Sequence, residues 1–293
     1  MAEFRPGTPE QDAFRAELAE AGLLVESGVP GLYGRGADFE DVLVAFERRV
    51  ARAAADEDPV RLRFPPLLPL EKLRAHGYFE TFPHLAGSIF ALEGDGESAW
   101  AQTDLALLPA ACYPVYPAIG ARGPLPAGGI TVDAGGAYVF RHEPSGDPAR
   151  MQMFHQREMV RLGEPEVVSA WRDTWRDRAV ELLRGVGLDA RLEVAADPFF
   201  GRQGRMLRAN QLAEQLKFEV LVPIAGDEPT AVASFNYHRD HFTGTYGITM
   251  EGGGVAHTAC LGFGLERITL ALFRQHGLDR AAWPASVDEA LAA

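Results

Sequence analysis

The chain has 293 residues, 47% apolar and 24% charged, the balance of a globular protein with room for one large domain and a small appendage. Its formal net charge of −13 repels a polyanion such as RNA except over a local basic patch. No apolar run is long enough to cross a bilayer, because Pro109, Pro114 and Pro117 interrupt Leu105 to Ile119. Met1 to Pro6 lacks the basic start and apolar stretch of a secretory signal, so a cytoplasmic location with no membrane partner is expected. In that reducing compartment Cys112 and Cys260 are not expected to form a disulfide, and residue type alone reads them as buried apolar side chains.

Thr8-Pro9-Glu10-Gln11 carries a helix start, with Thr8 as cap, Pro9 in the first position and Gln11 closing a capping box. Phe14, Leu18 and Ala21 continue at helical spacing. Ser27 to Gly36 reads as a Gly/Pro loop, and Asp38 as the cap of a second helix with Phe39, Val42, Phe46 and Val50 on one face. Ala54 to Pro59 reads as a linker, so residues 1–60 form a helical appendage and residues 61–293 the main domain. Strands are expected at Arg61 to Phe64 and Gly87 to Leu92, with a short helix from Glu71 to His76 stopped by Gly77. Ala137 to Glu143 and Met151 to Leu162 read as strands joined by the turn chemistry of Pro144 to Pro148. Pro165 opens a long helix through Trp171, Trp175 and Leu182. Arg191 to Val194, Lys217 to Val222, Ala231 to Tyr237 and Thr243 to Met250 read as strands, and His257 to His276 as an apolar helix ended by Gly277. Runs of strands with helices inserted indicate an α+β architecture, a largely antiparallel sheet flanked by helices.

Two segments carry chemistry. In the first, Phe140-Arg141-His142-Glu143, a polar loop and Arg150 to Glu158 would set Arg141, Glu143, Arg150 and Phe154 near one surface. On residue types alone, a charged solvent-facing hairpin is the competing reading. The second runs from Cys260-Leu261-Gly262-Phe263-Gly264-Leu265-Glu266-Arg267 into the apolar stretch Ile268 to Phe273. Its glycines permit close backbone approach to a ligand, and its competing reading is a plain amphipathic helix.

In this order, about a hundred residues apart, the two segments resemble motifs 2 and 3 of class II aminoacyl-tRNA synthetases. Leu73 to Phe79 followed by Thr81-Phe82-Pro83 resembles motif 1, which in that family builds a dimer interface, so a homodimer is expected. The resemblance implies that Arg141 grips the α-phosphate of ATP and Arg267 the γ-phosphate, because attack on phosphorus needs permanent, forked cations on the phosphates. It implies that Glu143 accepts from the adenine amino group or a substrate amine. Phe154 would stack on adenine beside Met151, and Arg150 would reach the terminal phosphates. Ala231, Val232, Ala233 and Ser234 match the strand lying along ATP, and Lys217 is a candidate nucleotide contact. The acidic magnesium ligand of that strand falls near Thr230, with Glu228 two residues earlier, so the magnesium that accompanies ATP has no assigned carboxylate.

The chain most resembles the amino acid:[carrier protein] ligases, truncated relatives of archaeal-type seryl-tRNA synthetases, over roughly residues 61–276. That resemblance implies one zinc ion per subunit, held by Cys112, Glu158 and Cys260, with an open position for the substrate α-amino group. Glu158 and Cys260 would then also bound the amino-acid pocket. His238 and His241 form a competing cluster whose spacing fits no common zinc signature, so polar loop or substrate contacts are the reading there. The implied reaction activates a small amino acid, glycine ahead of alanine, as its adenylate and passes it to the phosphopantetheine thiol of a carrier protein. No tRNA is expected, since the helices before residue 61 are short and acidic. Arg202, Arg205 and Arg208 form either a carrier-docking patch or a solvated helix face. A compact seryl-tRNA synthetase and a non-catalytic synthetase paralogue are the alternatives.

Overall fold

The computed structural model describes residues 3–93, 99–226 and 228–293. Helix α1 spans Pro9–Glu20, and both bonds of the Thr8/Gln11 capping box form. A hairpin of β1 (Leu24–Glu26) and β2 (Tyr33–Arg35) leads to α2 (Ala37–Ala53). Gly36, not Asp38, occupies the cap of α2. A Cβ at position 36 would fall 2.0 Å from Gly22 O, so glycine is required there. Asp38 sits in the first turn, where its carboxylate complements the positive helix end. The expected apolar face is buried: Phe39 stacks on Phe273 with ring centroids 6.0 Å apart, and Phe46 meets Phe263 edge-on at 6.1 Å. Residues 1–60 therefore share one core with the central sheet.

The strand expected at Arg61 to Phe64 shortens to β3 (Val60–Arg61), because Pro65 and Pro66 bring no N–H to a ladder. β4 (Leu67–Pro69), α3 (Leu70–Ala75), α4 (Tyr78–Thr81), β5 (Ser88–Glu93) and β6 (Ala99–Leu107) follow, and β4, β6 and β5 form a small antiparallel sheet. Next come α5 (Val115–Gly120), β7 (Ile130–Asp133), β8 (Ala137–Phe140), β9 (Met153–Gly163) and α6 (Pro165–Gly185). β10 (Arg191–Val194), α7 (Gly201–Ala213), β11 (Lys217–Val222), β12 (Thr230–Arg239) and α8 (His241–Tyr246) come next. The chain closes with β13 (His257–Gly264), α9 (Leu265–His276) and α10 (Ala285–Ala292).

Among the described residues the central sheet has eight strands in the order β10-β11-β12-β13-β9-β7-β3, with β8 also on β9. All pairings are antiparallel except β3 with β7, as the α+β reading expects. β13 lies between β12 and β9, and its alternate residues serve two faces. Leu261 and Phe263 join the core holding Phe46 and Trp175. Cys260 joins the cluster of Val115, Tyr116 and Phe242.

Two expected elements change type. Thr243 to Met250 was read as a strand from Thr243, Thr245 and Ile248, yet His241–Tyr246 is α8. Phe242 stacks on Tyr116 at 4.0 Å, Thr243 Oγ1 donates to Ala256 O, and Gly247 ends the turn at φ +62°. These tertiary contacts outweigh β propensity. The helix read at His257 to His276 is a strand as far as Gly264 and a helix after it, since a short apolar run suits a buried strand and a buried helix equally.

Candidate active site

Glu158 stands in mid-β9, opposite Gly262, and Cys260 in β13 is opposite Val160. With a two-residue side-chain period, Glu158 and Cys260 share one sheet face, and the Gln156 side chain lies over Gly262, where a Cβ would fall 2.6 Å from its Nε2. Cys112, just before α5, donates its N–H to Glu158 Oε2 at 2.7 Å. One ligand atom from each of Cys112, Glu158 and Cys260 lies within 4.8 Å of the others, and all three residues are buried. Around Cys260 Sγ stand Asn236 Nδ2 at 3.7 Å and His238 Nε2 at 3.6 Å, while Thr258 Oγ1 holds the other His238 nitrogen at 3.0 Å.

Burial pushes the Glu158 carboxyl and the Cys112 thiol up, and hydrogen bonding to Cys112 together with burial pushes the Cys260 thiol higher still. The two thiols therefore keep their protons at neutral pH without a metal, and a dication replacing them relieves the charge that burial disfavours. Two thiols and one carboxylate, gathered with no further carboxylate, suit zinc rather than the oxygen-only shell of magnesium or calcium.

Beside this cluster lies a group of arginines. Arg141 follows β8, its N–H bonded to Gln152 O at 2.8 Å and its guanidinium 6.0 Å from the Phe154 ring. Arg267, in the first turn of α9, donates Nε to Ala149 O at 2.7 Å and Nη1 to Ala231 O at 2.8 Å. It thus joins the β8–β9 loop, β12 and α9 at one point. Its pKa falls to about 10, through burial first and then the nearby charges of Arg150 and Arg141. Three guanidiniums that repel one another form a site built for a polyanion. Phe154, over whose ring Arg141 lies, and Glu158 of the Cys/Glu/Cys cluster both stand on β9, so one strand links the arginine group to the cluster.

No family model matches the chain. It is 43% identical over 291 residues to amino acid–[acyl-carrier-protein] ligase 2 of Bradyrhizobium diazoefficiens, covering 94% of this chain and 86% of that protein. It is 41% identical to ligase 1 of the same organism, covering 98% of this chain and 92% of that one. The chain belongs to the amino acid–[acyl-carrier-protein] ligase family. This ligase is also 28% identical to the type-2 serine–tRNA ligase of Methanopyrus kandleri, over 48% of its own length and 28% of that protein. Its fold matches the M. kandleri seryl-tRNA synthetase in a tRNA complex with TM-score 0.79 at 20% identity, over 95% of this chain and 60% of that one. It matches the Pyrococcus horikoshii seryl-tRNA synthetase in its ATP complex with TM-score 0.70 at 14% identity, over 99% and 64%. The fold is that of class II aminoacyl-tRNA synthetase catalytic domains.

The ligase brings Arg141, Arg150, Arg267 and Phe154 together as the motif reading expects, with Met151 buried beside them and Glu143 partly buried. Ser234 is paired to Gly262, so β12 runs along the motif 3 strand, and Ala231 is tied to Arg267. Lys217 differs from its expected role: its ammonium is buried against Asp197 at 2.5 Å and Glu219 at 3.0 Å. Among the described residues no second group of three metal-binding side chains gathers, and Glu228 is an exposed loop residue. The motif reading missed Glu266. Its buried carboxylate accepts the His155 N–H at 2.8 Å and pairs with Arg35 at 2.5 Å, fixing the start of α9 and hence Arg267. Its position directly before Arg267 was the available signal, but the partner residues are remote in sequence.

Proposed function

We propose that this ligase activates a small amino acid with ATP and transfers it to the phosphopantetheine thiol of a carrier protein. The observation that carries the reading is that β9 bears both Glu158, gathered with Cys112 and Cys260, and Phe154, with the Arg141 guanidinium 6.0 Å from its ring. An amino acid held by its amine at Cys112, Glu158 and Cys260 presents its carboxylate at Arg141. Zinc held by those three residues would supply a Lewis-acidic position for that amine. Arg141 grips the α-phosphate, and Arg150 and Arg267 the β- and γ-phosphates. The carboxylate oxygen bonds to the α-phosphorus, the bond to the bridging oxygen breaks, and pyrophosphate leaves as charge builds against the arginines. Phe154 stacks on adenine, Glu143 accepts from its amino group, and Ala231 to Ser234 line the nucleotide. Magnesium enters with the phosphates, which together with water supply most of its ligands. In the second step the thiol sulfur bonds to the carbonyl carbon of the adenylate, AMP departs, and the thiol proton passes to solvent.

Crowding by Tyr116, Asn236 and His238 near Cys260 favours glycine, then alanine. Helix α7 suits an acidic carrier: Arg202, Arg205 and Arg208 are exposed together with Phe200 and Met206. A homodimer accords with the motif 1 segment and with Phe90, Leu92 and Trp100 exposed on the small sheet. No described helix is long and apolar enough to cross a membrane, and a cytoplasmic location accords with that.

Amino-acid-dependent exchange of pyrophosphate into ATP tests the first step. Transfer to holo carrier protein and to total tRNA then tests the second. Absence of exchange with every amino acid overturns the activating reading, and charging of tRNA instead of carrier points to a compact seryl-tRNA synthetase.

A further inference from the structure

The loop between β8 and β9 is held from outside its own hairpin. Arg5 N–H donates to Pro144 O at 3.1 Å, and Gly146 N–H donates to Arg5 O at 2.9 Å, an isolated parallel bridge from the N-terminal segment to the loop. The approach is close: a Cβ on Gly146 would lie 2.6 Å from Gly7 N. On the other arm, Gln152 N–H donates to Gly31 O at 2.8 Å and Gln152 Nε2 to Pro30 O at 2.8 Å. Gln152 is buried, its side-chain oxygen meets His142 Nδ1 at 3.1 Å, and its carbonyl accepts the Arg141 N–H. Gly31 holds its place at φ +77°, where a side chain would press on Arg150 O at 3.1 Å.

Both arms are thus bonded to segments distant in sequence. The cluster needs such restraint. Arg141, Arg150 and Arg267 repel one another, and a loop free to move would let them separate when no phosphate is present. We infer that residues 5–7 and 30–31 form a brace that fixes the β8–β9 loop, so that Arg141, Glu143 and Arg150 are in place before ATP arrives. Gln152 is the positioning residue of that brace. The inference rests on the ATP reading of the site. It assigns the N-terminal sixty residues a share in substrate binding, since a preorganised cation group loses less on closing around its ligand.

Gly146→Ala tests it in the full chain. Position 146 does not have a positive φ, so the new methyl group strains only the contact with Gly7. Losing the two bonds to Arg5 should raise KM for ATP in the exchange reaction roughly tenfold. Zinc content should match the parent, since Cys112, Glu158 and Cys260 lie outside the loop. Hydrogen exchange should show faster opening of residues 144–148. Gln152→Leu keeps the volume, removes the side-chain bonds to Pro30 and His142, and should act in the same direction should the alanine variant not fold. Parent-like KM for ATP in a variant whose loop has opened overturns the brace while the ATP reading stands. A parent chain that binds no ATP in calorimetry overturns both.

Discussion

Replacing Arg267 by glutamine separates what the site costs from what it does. The guanidinium donates to Ala149 O and Ala231 O, and charge-assisted bonds contribute about 1.5–3 kcal/mol each. Against that, burial and the charges of Arg150 and Arg141 bring its pKa to about 10, a penalty on the order of 3 kcal/mol on the charged form at neutral pH. The penalty offsets the lower end of what the two bonds contribute together, and glutamine restores one bond, so the unfolding free energy from urea titration should change by less than about 1–2 kcal/mol in either direction. Catalysis has no such compensation. A cation facing the charge that builds on the phosphates is worth about 3–4 kcal/mol, so pyrophosphate exchange should fall 10²–10³-fold, roughly. The two assays are paired: urea unfolding for the first number and initial exchange rates at saturating amino acid for the second. A variant that unfolds several kcal/mol more easily while exchanging at the parent rate would refute the argument, because Arg267 would then be structural.

Cys260→Ala should lose both zinc and exchange activity, read by metal analysis of the purified protein and by exchange, since two remaining ligands do not hold the ion. His76→Phe addresses pH. The imidazole is buried among Tyr113, Phe242 and Tyr246, both ring nitrogens are unpartnered, and burial lowers its pKa from 6.5 to about 4. Its folded pKa is depressed, so the unfolded chain binds the extra proton between these values. Its share of stability is complete above pH 6.5 and is lost as pH falls toward 4, about 3 kcal/mol in all. Phenylalanine should flatten that part of the stability profile measured by urea unfolding, and an unchanged profile counts against the assignment. Reversing Arg202, Arg205 and Arg208 to glutamate together should cut transfer to the carrier roughly 10–100-fold and leave exchange untouched, and unchanged transfer removes α7 as the dock.

The sequence made the reacting groups legible because their types are constrained by chemistry. Arg141, Arg267 and Phe154, like Cys112, Glu158 and Cys260, become candidate site residues through the family resemblance, which the order and spacing of two segments carry. The structure then gathers them by β-sheet register. What stayed illegible depends on partners far along the chain. The role of Glu266 stays hidden until Arg35, 231 residues away, is found beside it. Lys217 reads as a candidate nucleotide contact, and no sequence signal marks Asp197 and Glu219 as its partners. Thr243 to Met250 carries strand propensity that the Phe242–Tyr116 stack and the Thr243–Ala256 hydrogen bond override.

The shared core of α2 and α9 has a consequence for synthesis. Phe39 and Phe46 are covered by Phe273 and Phe263, and Arg49 and Arg52 are bonded to the carbonyls of Ala290 and Leu291, about 240 residues later. On the ribosome, α2 emerges early with its apolar face uncovered, and nothing that can cover it exists until α9 and α10 have been made. At about 5–20 residues per second that interval lasts on the order of ten seconds or more. Folding of this chain is thus tied to its last helices, and the nascent N-terminal segment is where a chaperone would have to act.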